Sequence, residues 1–276
     1  VNINALLALI GGGQLQLVDL LLPMGISFYT FQSMGYLIDV YWGKYPPERS
    51  LGKFALFVTF FPQLIQGPIS RFDHLSQTLY EEHRWDSRQI AMGGMRVVWG
   101  FAKKLMVADR LMAVVNTLSG SPEEYQGLYV LVLMVVYAVT LYADFTGGID
   151  ITIGVSQMLG IKVAENFERP FFSKNIAEYW RRWHITMGTW FRDYVFYPLS
   201  VSKSVLKLHQ KARARLGEPG KRVSVYLCTM LLWFVTGVWH GASWNFIVWA
   251  CSTVWSSWSP RSASLCTPNS TGNSPA

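Results

Sequence analysis

Charge is what this 276-residue chain has least of. Asp, Glu, Lys and Arg make up 15% of it, against about 25% in an ordinary soluble domain. The deficit is concentrated in four stretches, 20–38, 54–70, 125–143 and 223–260, which contain none of the four residue types. A helix that crosses a bilayer needs about 20 mostly apolar residues, within a range of roughly 17–25. Three stretches are therefore one span long, and the fourth has room for two spans or for a span plus a re-entrant segment. A soluble protein with a large core is the alternative, because mean hydropathy is only +0.21. The polar segments 71–89 and 203–222 account for that modest mean, and buried soluble helices seldom run so far without charge. The chain reads as an all-α polytopic membrane protein.

Cysteine is scarce too. Cys228, Cys251 and Cys266 show neither disulfide-framework nor metal-ligand spacing, which leaves the redox compartment open. The five histidines include no paired ligand motif, which argues against a metal centre. The net charge of +7 does not point to nucleic acid. Seven Lys or Arg and a single Glu lie within 203–222, beside a predicted span. Positive loops flanking spans stay in the cytoplasm, so 203–222 is expected there, held to anionic headgroups. Both ends read as incomplete. No Met or basic leader precedes the first apolar run, and 252–276 turns abruptly to Ser, Thr and Pro. A membrane domain over 1–251 and a disordered or aberrant tail over 252–276 are expected.

The first stretch carries Pro23, Gly25 and Gly35, tolerable where neighbouring helices re-satisfy the backbone. Pro62 and the Gly67-Pro68 pair predict a broken, re-entrant segment in 54–70. Residues 90–118 predict a helix with Arg96, Lys103, Lys104, Asp109 and Arg110 along it, so lipid cannot surround it. The cleanest span, 125–143, runs into "DFTGGIDITIG", which brings Asp144 and Asp150 to a membrane edge or interior. Intramembrane carboxylates are costly and point to function. The plainer readings are a helix cap for Asp144 and an arginine partner for Asp150.

"NIAEYWRRWHITMGTWFRDYVFY", residues 175–197, predicts one helix that Pro198 ends. Asn175 followed by Glu178 resembles a capping box. Ile176, Trp180, Trp183, Met187, Trp190, Tyr194 and Tyr197 step by three and four to form an apolar stripe opposite Arg182, Thr186, Thr189 and Asp193. Such a helix suits the membrane interface, with His184 on the flank of its aromatic face. His240 stands inside the longest uncharged stretch, in "WHGASWNF". An imidazole withdrawn from water favours its neutral form and can take a proton from a hydroxyl. A structural hydrogen bond or an interfacial anchor among tryptophans is the competing reading.

The segments "PMGISFYTFQSMGYLIDVY", "FFPQLIQGPISRF", "YADFTGGIDITIG", "NFERPFFSKNIAEYWRRWHITMGTWFRDYVFYPL" and "WHGASWNF" together resemble the membrane-bound O-acyltransferase (MBOAT) family. The similarity is to its bacterial branch, which includes the alginate O-acetylation membrane protein and the protein that transfers D-alanine onto teichoic acids. It runs from about residue 20 to 250. The resemblance implies spanning, re-entrant and interfacial helices around a funnel in the bacterial cytoplasmic membrane, with further spans outside this chain. It implies transfer of an acyl group, most simply acetyl, from a cytoplasmic thioester (acetyl-CoA or an acyl-carrier protein) to hydroxyls of an extracytoplasmic polysaccharide or cell-wall polymer. No bound cofactor is implied, and a partner protein on the outer face is. By the same resemblance His240 is the general base and His184 the second motif histidine, catalytic or supporting. Arg182, Trp183, Trp190, Arg192, Asp193 and Asp144 would line the cavity. Gly148 stands where many relatives carry an aromatic, and "YPLSVSKS" lacks their Gly-Gly. The residues alone also allow a transporter or flippase with Asp144, Asp150 and His240 lining a polar pathway, or a non-catalytic membrane subunit.

Overall fold

A computed structural model of the chain describes residues 25–241 and 243–257. The first part of the stretch 20–38 and most of the Ser/Thr/Pro segment lie outside them. The described residues are helical, with no strand among them. They divide into two compact units, one of Pro23–Glu168 with His184–Met187, the other built mainly from Arg169–Trp183 and Gly188 onward.

In the first unit, α1 (Ile26–Tyr41) leads to α2 (Leu51–Val58) and the short α3 (Phe61–Leu64). The break expected in 54–70 is present: Pro62 sits in the first turn of α3, and no helix follows it before α4 (Phe72–Leu79). Tyr36, Phe57, Phe60, Leu75, Leu79 and Ile161 form the buried apolar cluster of this region. Buried polar groups of the same unit are satisfied in series. Gln32 donates to Gln63 (2.9 Å) and Gln63 donates to Ser70 (2.6 Å), as buried amides require.

Helix α5 (Ser87–Phe101) continues through a π-helical segment, Ala102–Ala108, into α6 (Asp109–Gly120). The long α7 (Leu128–Met158) has 31 residues, about 46 Å at 1.5 Å per residue, so it exceeds the roughly 30 Å hydrocarbon core. It absorbs "DFTGGIDITIG" as helix, not as a connection after a span. Asp144 is therefore a mid-helix residue and not a cap.

Helices α5 and α7 run antiparallel at backbone contact. A Cβ on Gly93 would lie 2.6 Å from the Gly154 carbonyl oxygen, and one on Gly154 would lie 2.7 Å from that of Gly93. Gly100 and Gly147 repeat the arrangement at 2.6 and 2.9 Å. The glycines are seven residues apart on each helix, two turns, so both contacts share one face. Small residues of this kind let helices associate closely in a membrane. Between the two contacts, Arg96 reaches Asp150 (2.8 Å) and grips both carboxylate oxygens of Glu165 (2.6 Å each). Lys103 also binds Asp150, and Lys104 joins Asp144 (2.7 Å) to Asp109 (2.8 Å). Two consecutive lysines of the π-helical segment thus serve carboxylates six residues apart on α7.

On the other side of α7, Thr152 donates to the Pro62 carbonyl (2.9 Å) and ties the broken segment down. A side chain at Gly148 would meet the Gln66 carboxamide oxygen at 2.2 Å, so any larger residue there would have to displace that carboxamide.

In the second unit, residues 203–222, expected as a loop, are mostly helix: α11 (Lys203–Leu216), its N-terminus capped by Ser202. Helix α12 (Gly220–His240) turns at Gly241 into α13 (Trp244–Ser257). The fourth uncharged stretch is thus a helix pair, and its second helix runs past residue 251. Among the described residues, two helices, α7 and α12, are long and apolar enough to cross a membrane.

The glycine contacts yield a direct prediction. Gly93→Leu should lower the thermal stability of the detergent-solubilised protein by about 1–3 kcal/mol or more, as overpacking does. Gly94→Leu, whose Cβ meets nothing within 4 Å, controls for helix propensity. Equal losses in thermal unfolding would contradict the close approach.

Candidate functional site

The helix expected over 175–197 is broken. Helix α8 (Ile176–Arg182) stops at Trp183, His184 takes a left-handed conformation at φ 47°, and α9 (Ile185–Phe191) begins afresh. A π-helical segment, Arg192–Phe196, then runs into α10 (Tyr197–Ser200), so Pro198 sits in a helix instead of ending one. The break at His184 has a specific cause. A continuous helix would send the Ile185 and Thr186 amides to the carbonyls four residues back. Here the Asn166 main-chain oxygen takes the Ile185 N–H (3.0 Å) and its side-chain oxygen takes the Thr186 N–H (3.0 Å). Non-glycine residues in this conformation carry strain of about 1–3 kcal/mol and cluster at functional sites.

His184 is 3% exposed. Its Nδ1 lies 3.2 Å from the Asn166 side-chain oxygen. The Phe145 ring meets it edge-on at 4.9 Å, and Phe167 lies nearly parallel at 6.4 Å. The Thr186 hydroxyl donates to the same Asn166 oxygen (3.0 Å) and accepts the Ile69 N–H (2.9 Å). The broken segment before α4 thereby supports the histidine. Asn166, Phe145 and Phe167 were not singled out by sequence reasoning. Periodicity puts Thr186 on the polar stripe and gives it no role. The only signal for Asn166 is its place in "NFERPFF", eighteen residues upstream, and spacing alone gives no reason to connect the two.

In the other unit, the capping box forms with one change of partner. Asn175 accepts the Glu178 N–H (2.8 Å), and Glu178 accepts the Lys174 N–H (2.9 Å). Arg182 is bound to Glu178 at 2.6 Å. Trp183 stacks on Tyr179 with centroids 5.6 Å apart. Trp190 is buried against Phe191 and Tyr194. Arg192 and Asp193 pair with each other at 2.8 Å.

His240 ends α12 in an aromatic cage. Trp239 lies 4.6 Å away, Trp249 meets the ring edge-on at 5.1 Å, and Phe246 stacks at 5.8 Å and 20°. Trp249 in turn contacts Trp180 and Trp233. The tight turn needs small residues: a Cβ on Gly237 would lie 2.8 Å from that of Ala250, and one on Gly241 2.7 Å from the Phe246 ring. The cage is open on one side, because His240 is exposed among the described residues. Complete withdrawal from water by this chain alone is not observed. His184 and His240 belong to different units.

A family model described as MBOAT, membrane-bound O-acyltransferase family, matches residues 46–213. The chain belongs to the MBOAT family. Its fold is thus the all-α polytopic membrane fold of that family. The match includes His184 and ends before His240. The chain is 37% identical over 249 residues to "Probable alginate O-acetylase AlgI" of Azotobacter vinelandii, covering 90% of this chain and 46% of that protein. It is 30% identical to the peptidoglycan O-acetyltransferase of Helicobacter pylori, covering 87% and 48%. Identity to the teichoic acid D-alanyltransferase of Bacillus subtilis is 30%, covering 82% and 55%. The chain spans about half the length of these MBOAT relatives.

The capping box makes a pH prediction. The Lys174 N–H and the nearby Arg182, Lys174 and Arg181 charges hold the Glu178 carboxyl below its ordinary value of about 4.5. A depressed carboxyl stabilises the folded form above that ordinary value, and the contribution disappears as pH falls through the folded value. Hydrogen exchange of Ile176–Arg182, corrected for intrinsic rates, should quicken below about pH 4.5 in the wild type. Glu178→Gln should remove that pH dependence; an unchanged profile would contradict the box.

Proposed function

We propose that the protein is a membrane O-acyltransferase that moves an acyl group, most simply acetyl, from a cytoplasmic thioester onto hydroxyls of an extracytoplasmic polysaccharide or cell-wall polymer. The observation that carries the reading is the agreement among relatives. An alginate O-acetylase, a peptidoglycan O-acetyltransferase and a teichoic acid D-alanyltransferase differ in polymer and acyl group, yet all transfer an acyl group to a polymer.

In this reading His240 is the general base. Its neutral imidazole accepts the hydroxyl proton as the oxygen attacks the thioester carbonyl. The carbon–sulfur bond then breaks, an ester forms, and the proton passes to the departing thiolate. The aromatic cage limits the directions the ring can take. His184, held by Asn166, supports substrate placement or the proton transfer, and Arg182, Trp183, Trp190, Arg192 and Asp193 shape the cavity with Asp144. The donor is acetyl-CoA or an acyl-carrier protein, and a partner protein on the outer face completes delivery to the polymer. Seven basic residues over 203–222 support a cytoplasmic position for α11 in a bacterial cytoplasmic membrane.

A transporter would need Asp144 and Asp150 available to its cargo. Asp150 is instead engaged by Arg96 and Lys103, which weighs against that alternative.

His240→Ala should reduce ester-linked acyl groups on the cell's exported polymer by about 100-fold or more, the range general-base loss produces. Membrane abundance should stay at the wild-type level. Equal ester content at matched abundance would count against the proposal.

A further inference from the structure

Asn166 is fully buried and is the point at which the strained His184 is held. Three donors converge on its side-chain oxygen: the Thr186 N–H, the Thr186 hydroxyl and His184 Nδ1, at 3.0, 3.0 and 3.2 Å. The orientation of a carboxamide is ordinarily ambiguous, but here it is fixed. A main-chain N–H can only donate, so the atom facing Thr186 is the carbonyl oxygen. That oxygen carries no hydrogen, so His184 Nδ1 must donate to it. A neutral imidazole has one N–H, which leaves Nε2 as the ring nitrogen without a proton. The Asn166 Nδ2 group has no partner. The amide is therefore turned to serve His184 and Thr186 even though its own buried donor goes unsatisfied.

We propose that Asn166 is a positioning residue that holds His184 as the Nδ1–H tautomer, with an unprotonated Nε2 as its working nitrogen. The consequence for acyl transfer rests on the reading of His184 as a site residue; the tautomer itself does not. An amide suits this task better than a carboxylate. Both accept the Nδ1 proton, but a carboxylate would also favour the imidazolium and remove the lone pair at Nε2. Phe145 and Phe167 hold the ring plane, and the Ile185 amide bound to the Asn166 main chain fixes the backbone on which the ring stands. Exchanging the two ring nitrogens would break the bond to Asn166.

The test is nitrogen-15 NMR of histidine-labelled protein in lipid bilayers, with the His184 signals assigned by their loss in His184→Gln. In the wild type, Nδ1 should be protonated and Nε2 bare near neutral pH. Asn166→Leu should abolish that preference. Asn166→Asp, nearly isosteric, should keep the Nδ1 proton while the imidazolium persists to higher pH, and the acid limb of the acylation profile should move up with it. A wild-type ring protonated at Nε2 would overturn the proposal. So would an unchanged tautomer in Asn166→Leu, or activity that falls in Asn166→Asp with no pH shift. Should the leucine variant fail to insert, the aspartate variant and the wild-type spectrum still decide. If the wild type esterifies no polymer, the functional reading fails while the tautomer result stands.

Discussion

The backbone contact between α5 and α7 is the constraint on which the unit containing His184 depends. Reciprocal glycines at 93 and 154, and at 100 and 147, leave no room for a side chain between the helices. At that separation Arg96 spans the gap to Asp150 and still reaches Glu165. Glu165 precedes Asn166, so the clamp on one residue fixes the start of the segment whose next residue holds the histidine. Charges that would be prohibitive in lipid are thus spent on geometry. Removing one partner of such a network leaves an uncompensated charge, which is why networks of this kind are retained as a set.

The second constraint is competition for hydrogen bonds. Ile185 and Thr186 have helical neighbours on both sides, and the sequence offers no glycine or proline at Trp183–His184 to break them. Asn166 outbids the helix because it supplies two acceptors in register, one main-chain and one side-chain. The hydroxyl of Thr186 then links the site to Ile69, in the segment that Gly67 and Pro68 keep out of helix. The broken segment expected from those residues is therefore part of the support for His184.

Much of this was legible in the sequence, and the omissions have physical causes. The uncharged stretches and the capping box at Asn175 and Glu178 follow from local composition and spacing. The arginine partner of Asp150 was a plain reading of its cost in a membrane, and Arg96 fills that role. Helix α7 runs beyond the span expected over 125–143; Asp144 and Asp150 look like a boundary until their lysine and arginine partners are known. The break at His184 has no local signal because its cause, Asn166, lies eighteen residues away. Periodicity reports what a helix would bury, not what another segment takes from its backbone. The π-helical segments leave no local signature at all.

His240 carries the chemical claim. It stands in a cage of Trp239, Phe246 and Trp249 at the end of a helix long enough to cross a membrane, in a chain of the MBOAT family. The most direct measurement follows label from donor to acceptor. Membranes bearing the wild type or His240→Gln in equal amount are given acetyl thioester labelled in the acetyl group, and label in polymer is counted before and after mild alkali. The account predicts alkali-labile label on polymer with the wild type and background with His240→Gln. Equal labelling by both would contradict it.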